Sequence, residues 1–389
     1  MTSQHTASRL LAALLSAALA AGLTACTASP ANRAGKDRSS TPSASVDAGI
    51  DAGPATDTPW SQVRPLADPK SYVGPSTAHL PNADIAPITA SPRPVLPATV
   101  TDSQGTKVTV TSDERILALD LYGSLAATVY GLGLGDRLVG RDQSTGFPAA
   151  QHLPLVTGGA HILNAEAILE LHPTVIITDT TLGPWEVILQ MRDAGVPVVI
   201  TPSQRDLSTV DTLTDQVAAA LGVRAEGNKL NARISAEITA IKAQVGQVAP
   251  RDPAKRLRID FLYIRGQAGV FYIFGHGSGA DSLINAVDGI DVASLAGIKG
   301  FSALNAEALA KTKPDVILMM SAGLASVGGV DGALKLPGVA ETPAGQHRRI
   351  VDMSDYQVLS FGPLTAQVID GLARAIYAPD SVTVSGARR

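Results

Sequence analysis

From Ala98 onward the chain repeats one pattern: a short β-branched or aliphatic run, a stretch with apolar residues at three-and-four spacing, then another run. "ATVTDSQGTKVTV" (98–110) alternates β-formers about a Ser-Gln-Gly turn and predicts a hairpin. "RILALD" (115–120) predicts a strand, and "LYGSLAATVYGLGLG" (121–135) a helix with a glycine stop. "TVIITD" (174–179) and "VPVVIT" (196–201) predict strands around the helix "TTLGPWEVILQMRDAG" (180–195). These runs are apolar almost throughout, as parallel strands covered on both faces are, and the alternation predicts an α/β lobe. Asp206 to Ala249 departs from it, keeping helical spacing with no strand and interrupted only near Gly222 and Gly227. The α/β pattern then resumes with strands "RLRIDFLYIR" (256–265) and "GVFYIFG" (269–275) and the helix "GADSLINAV" (279–287).

One phrase occurs twice. "LNAEAILELHPTVII" starts at Leu163 and "LNAEALAKTKPDVIL" at Leu304, 141 positions on. In the first copy Asn164 is a predicted N-cap, Glu166 lies in the first turn where the helix dipole favours an acid, and Pro173 marks the stop. Two copies are too few for a solenoid. The simpler reading is α/β with two Rossmann-like lobes, each with a mostly parallel sheet. A single long helix would join them, with one crossing between lobes and a ligand cleft in between. The predicted boundaries are residues 98–203 for the N-terminal lobe, 204–249 for the connecting helix and 250–389 for the C-terminal lobe.

The first hundred residues differ in kind. "LLAALLSAALAAGL" (10–23) is too short for a comfortable membrane span and ends in small residues, so residues 1–26 predict a secretory signal. Its "LTAC" resembles the bacterial lipobox, in which the cysteine is lipidated; Cys26 is the one cysteine in the chain. Residues 27–97, rich in Ala, Pro, Ser and Thr without apolar periodicity, predict a disordered tether, with Trp60 and Tyr72 the exceptions. The net charge is −4 without a long run of one sign, which argues against nucleic acid as a partner.

The lipobox, the paired "NAE" units, the helical strut and "GHGSGADSLINAV" together resemble the solute-binding lipoproteins of ABC importers. The class is the helical-backbone one that carries haem, cobalamin and ferric siderophores. Within it, "LVTGGAHILNAEAILELHPTVIITDTTLGP" (155–184) and "FLYIRG" (261–266) resemble the haem-binding branch found in actinobacteria. The resemblance covers about residues 98 to 385. It implies a monomeric, non-enzymatic protein, held at the outer face of the cell membrane through lipidated Cys26 only. Such a protein takes haem, directly or from an upstream donor, to an ABC permease with its ATPase. In this class one acid on each lobe docks the permease, and Glu166 and Glu307 occupy matching places in the two repeats.

The residues give the haem expectation chemical content. Tyr263 and Arg265 lie two apart at a strand end and share a face. Ferric iron takes a phenolate, tyrosine is an axial haem ligand, and an adjacent guanidinium favours the charged phenolate. A second ligand would come from the other lobe, where His161 lies in "GGAHIL" just ahead of the repeated helix; the second repeat has Ser302 there. Tyr272 on the neighbouring strand and His276, in a glycine turn, complete the candidate set. His152, His172 and His347 fall in polar loops or at a helix end. A ferric-siderophore or cobalamin carrier would use the same cleft without Tyr263 as ligand. "GHGSGA" (275–280) also fits G-x-G-x-x-A, the turn of a dinucleotide-dependent oxidoreductase, but Asp288 and Asp291 come too early for the ribose acid.

Overall fold

In the computed structural model, which describes residues 58–80 and 82–381, the apolar runs become one sheet in each lobe and a two-stranded hairpin. The strands are β1 (Ser76–Ala78), β2 (Ala98–Thr101), β3 (Lys107–Val110), β4 (Ile116–Leu119), β5 (Val175–Thr178) and β6 (Val198–Ile200). They continue with β7 (Arg258–Arg265), β8 (Val270–Phe274), β9 (Ile290–Asp291), β10 (Phe301–Ala303), β11 (Val316–Met320) and β12 (Ile350–Met353). β4, β5 and β6 form the parallel sheet of the N-terminal lobe, and every residue in them is buried. β2 and β3 form the expected antiparallel hairpin. The C-terminal lobe has a seven-stranded sheet in the order β1-β12-β11-β7-β8-β10, with β9 also paired to β7. It is parallel except for β8 and β10, which add antiparallel strands at one edge. Residues 1–26, predicted as a secretory signal ending in Cys26, lie outside the described residues.

The repeated phrase folds the same way twice. The Asn164 side chain accepts the Ala167 amide at 3.1 Å, and Asn305 accepts that of Ala308 at 2.8 Å. Each caps a short helix, Ala165–Glu170 and Ala306–Thr312. The chain then turns through a left-handed residue, His172 (φ 44°) or Lys313 (φ 45°), meets a proline and enters a buried parallel strand. Glu166 and Glu307 sit in the first turns, both exposed and neither ion-paired among the described residues.

Two expectations are corrected. Part of the predicted tether, residues 58–80 and 82–97, is packed on the body. Trp60 Nε1 donates to Asp370 at 2.6 Å, and the Arg374 guanidinium lies 4.6 Å over its ring. Arg349, buried with its guanidinium on the carbonyls of Ala375 and Ile376, covers the Tyr72 ring at 4.5 Å. β1 then completes the C-terminal sheet, the Ala86 carbonyl accepts Arg233 at 2.7 Å, and the Val95 amide donates to Gly222. Average composition concealed these anchors, because cation–π contacts and an unpaired sheet edge order a segment that has no periodicity of its own. The described residues therefore begin on the C-terminal lobe, pass to the N-terminal lobe and return, where one crossing was expected.

The connecting helix is also two helices, Val210–Ala220 and Arg224–Val248. Gly222 makes the turn with φ 70°. Gly227, expected to interrupt, lies inside the second helix because it packs against Ala218, where a methyl would fall 2.6 Å from that Cβ. The second helix spans about 37 Å at 1.5 Å per residue. Its buried stripe, Leu230, Ile234, Ile241 and Val245, keeps three-and-four spacing. The C-terminal helix Thr365–Tyr377, buried nearly all round, packs on it. Among the described residues no helix is long and apolar enough to cross a membrane.

Candidate functional site

The C-terminal wall is set by strand register. Phe261 pairs with Phe274, Tyr263 with Tyr272 and Arg265 with Val270; on the far side of β8, Phe301 pairs with Phe274. Residues directly opposite share a face, so one face presents Phe261, Tyr263, Arg265, Tyr272, Phe274 and Phe301. The Phe274 ring stacks on Tyr263 (5.4 Å, 8°) and on Phe261 (5.5 Å, 17°), and Tyr272 leans on Phe301 at 4.9 Å. The face runs from Phe261, fully buried, to Phe301, 62% exposed.

Arg265 covers the phenol. Its guanidinium carbon lies 4.6 Å from the Tyr263 ring centre, and Nη2 is 2.7 Å from Asp355 Oδ1. Asp355 in turn accepts the Ala322 amide at 2.8 Å, which holds the whole stack. A cation over an aromatic face contributes about 0.5–2 kcal/mol according to its exposure.

The N-terminal wall forms at the carboxyl ends of β4 and β5. Asp120 and Asp179, each following a buried strand, share Arg205 at 3.3 and 2.8 Å, and all three side chains are buried. Asp120 also accepts the amides of Ser124 and Leu125, and Asp179 accepts the amide and the hydroxyl of Thr181. Burial pushes the Asp120 carboxyl up to about 6 against the pull of Arg205, and burial raises Asp179 as well. Tyr122 lies beside this cluster, with Arg205 5.7 Å from its ring centre.

His161 stands on a loop of the same lobe, 28% exposed, with Nδ1 3.0 Å from the fully buried Asp142. Burial alone would raise Asp142, but the His161 contact, the Ser144 amide and the Thr157 hydroxyl hold its carboxyl below the usual range. Ala160 (φ 55°) and His161 (φ 60°) are consecutive non-glycine residues in the left-handed region. Such conformations cost of order 1–3 kcal/mol each and persist only where the surroundings enforce them.

Short links join the two walls. Burial raises the Tyr122 phenol; Arg205 opposes this, and Asp179, Asp120 and Tyr263 add to it. The loop after Asp142 touches the C-terminal lobe, since a methyl on Gly146 would fall 2.5 Å from the Tyr356 ring, next to Asp355. Behind them, Gly279 (φ 87°) lets its turn approach the Arg205 carbonyl, where a Cβ would come within 2.5 Å.

The other candidates fall differently. Tyr272 shares the aromatic face. His276 is 74% exposed, with Nδ1 3.3 Å from Asp281. The amides of Gly277 and Gly279 also go to Asp281, at 2.8 and 3.1 Å, so the turn that could cradle a phosphate is already filled by a carboxylate of its own chain. No group of three or more His, Cys, Asp or Glu that could hold a metal ion lies among the described residues. Sequence reasoning missed Asp142, Tyr122, Arg205, Asp355 and Phe301. For Asp120 and Asp179 there was a signal, an acid ending each of two apolar runs, where α/β folds gather ligands.

The family model for periplasmic binding proteins matches residues 120–356. The chain belongs to that family. A crystal structure of the haem-binding protein HmuT is 42% identical, covers 80% of this chain and 99% of its own, and superposes with a TM-score of 0.76. Structures of HmuT with a single arginine, histidine or tyrosine changed to alanine match equally well. The periplasmic haem-binding protein RhuT of Roseiflexus sp. RS-1, in its apo form, is 38% identical over 70% of this chain and all of its own, with a TM-score of 0.62. The periplasmic haem-binding protein BhuT, in complex with two haems, is 30% identical over 69% of this chain and 99% of its own, with a TM-score of 0.59. Among curated proteins no sequence matches. This periplasmic binding protein thus has the two-lobe architecture of its relatives, with charged groups at the lobe seam and an aromatic sheet face.

Proposed function

We propose that this periplasmic binding protein captures haem between its lobes and delivers it to an ABC importer. The observation that carries the reading is Tyr263, half-buried on an aromatic sheet face beneath Arg265, on the wall opposite the lobe that bears His161. Phenolate is a hard ligand suited to ferric iron. The rings of Tyr272, Phe274 and Phe301 offer a planar macrocycle apolar contact area. His161 supplies the second axial ligand from the other lobe. The solved relatives support this, as haem-binding proteins of the same fold. In HmuT the tyrosine and arginine of the alanine variants stand two positions apart, the spacing of Tyr263 and Arg265.

The protein acts by binding and release, outside the cytoplasm, as a monomer tethered through lipidated Cys26. Glu166 and Glu307, exposed on matching helices, meet basic residues of the permease, whose ATPase drives uptake. The test is the visible spectrum of the protein expressed without its first 26 residues and titrated with haem. One equivalent should give a Soret shift and a phenolate-to-iron charge-transfer band. A protein that leaves the Soret band of added haem unshifted overturns the haem reading in favour of a siderophore or cobalamin.

A further inference from the structure

The side chain of Asp142 is fully buried and held from three directions. It accepts the Ser144 amide at 2.6 Å, the Thr157 hydroxyl at 3.0 Å and His161 Nδ1 at 3.0 Å. The amide and the hydroxyl fix the carboxylate whether or not the histidine is there. His161 does not bury itself against it; the ring remains partly exposed, and among the described residues Nε2 has no hydrogen-bond partner. The backbone at Ala160 and His161 is left-handed at two consecutive non-glycine positions, which brings the ring onto the carboxylate. A carboxylate that served only the loop would need neither the strained backbone nor the imidazole, because Ser144 and Thr157 already occupy it.

We propose that Asp142 is the positioning residue of the N-terminal wall. It accepts the Nδ1 proton of His161, so the ring is fixed in the tautomer whose Nε2 lone pair faces the cleft, and it makes that nitrogen a stronger donor to haem iron. The inference rests on the reading that His161 ligates haem. On the opposite wall Asp355 orients the group that acts on the tyrosine; here Asp142 acts directly on the histidine.

The experiment compares Asp142→Asn, His161→Ala and the double variant by haem titration and ferric spectrum, with the melting temperature of the haem-free protein as control. A neutral amide keeps the shape but not the charge. Asp142→Asn should weaken haem binding about 10- to 100-fold, the usual effect of removing such an outer partner. Its spectrum should move toward that of His161→Ala. Added to His161→Ala, it should cost nothing more. Equal losses with and without His161 would show a packing role and overturn the proposal. An unchanged Asp142→Asn spectrum beside an altered His161→Ala one would overturn it while leaving histidine ligation standing. An unaltered His161→Ala spectrum would overturn both. Should Asp142→Asn fail to fold, the 15N shifts of His161 in the unmodified haem-free protein decide: protonated Nδ1 supports the proposal, and protonated Nε2 overturns it.

Discussion

The two walls of the cleft present their candidate ligands by opposite means. Tyr263 rides on an eight-residue strand, where register and pleat set its direction and neighbouring rings hold it flat. His161 rides on a loop bent through two left-handed residues and owes its direction to a buried carboxylate 19 residues away. A strand-borne group is oriented by local geometry; a loop-borne group needs partners from elsewhere to be oriented at all. The buried acids differ in the same sense. Asp120 and Asp179 share a guanidinium, whereas Asp260, on β7 of the C-terminal sheet, meets the Thr312 hydroxyl at 2.6 Å and has no ion-pair partner among the described residues.

If the walls are unequal, Tyr263→Phe has the largest effect. Haem affinity should fall by more than the roughly 100-fold that marks the upper range for outer partners, and the charge-transfer band should vanish. Retention of that band would mean that another phenolate ligates the iron.

His161→Ala should cost less. The expected result is a haem complex still bound through Tyr263, with a changed coordination state and an affinity lower by about tenfold. If the order of the two losses is reversed, the histidine wall dominates.

Asp260→Asn sharpens the contrast between acids. Burial pushes the Asp260 carboxyl up to about 7, so between its ordinary range and that value the folded protein keeps a proton that the unfolded chain has lost. The stability this contributes is full below the ordinary carboxylate range and disappears as pH rises through about 7. The unmodified protein should therefore lose stability relative to the variant between about pH 4 and 8, by a few kcal/mol at most. Melting temperatures of both across that range are the check, and parallel curves would refute it.

The smallest effect on haem belongs to the one feature the lobes share. Glu166→Gln with Glu307→Gln should leave haem affinity unchanged and lower transport through the intact importer, most visibly at low salt. Unchanged transport would leave these acids only their helix-dipole role, worth about 0.3–1 kcal/mol each.

Much of this was legible in the chain because the rules involved are local. Strand and helix positions followed from periodicity, the repeat from Asn caps and proline stops, and the shared face of Tyr263 and Arg265 from their parity along one strand. What stayed hidden depended on contacts far apart in sequence. Arg205 meets Asp120 across 85 residues, and Trp60 meets Asp370 across 310. The segment at 58–97 looked like tether because its own composition cannot order it; the edge of β12 and the guanidiniums of Arg349 and Arg374 can. By itself the sequence determined two α/β lobes, a repeated unit in each and the shared face of Tyr263 and Arg265, since backbone propensity and side-chain alternation act within a few residues. The tertiary structure alone decided which acids face which cations, how the strap closes the C-terminal sheet and where the His161 ring sits. Each of those depends on burial and charge pairing, which exist only once distant segments have met.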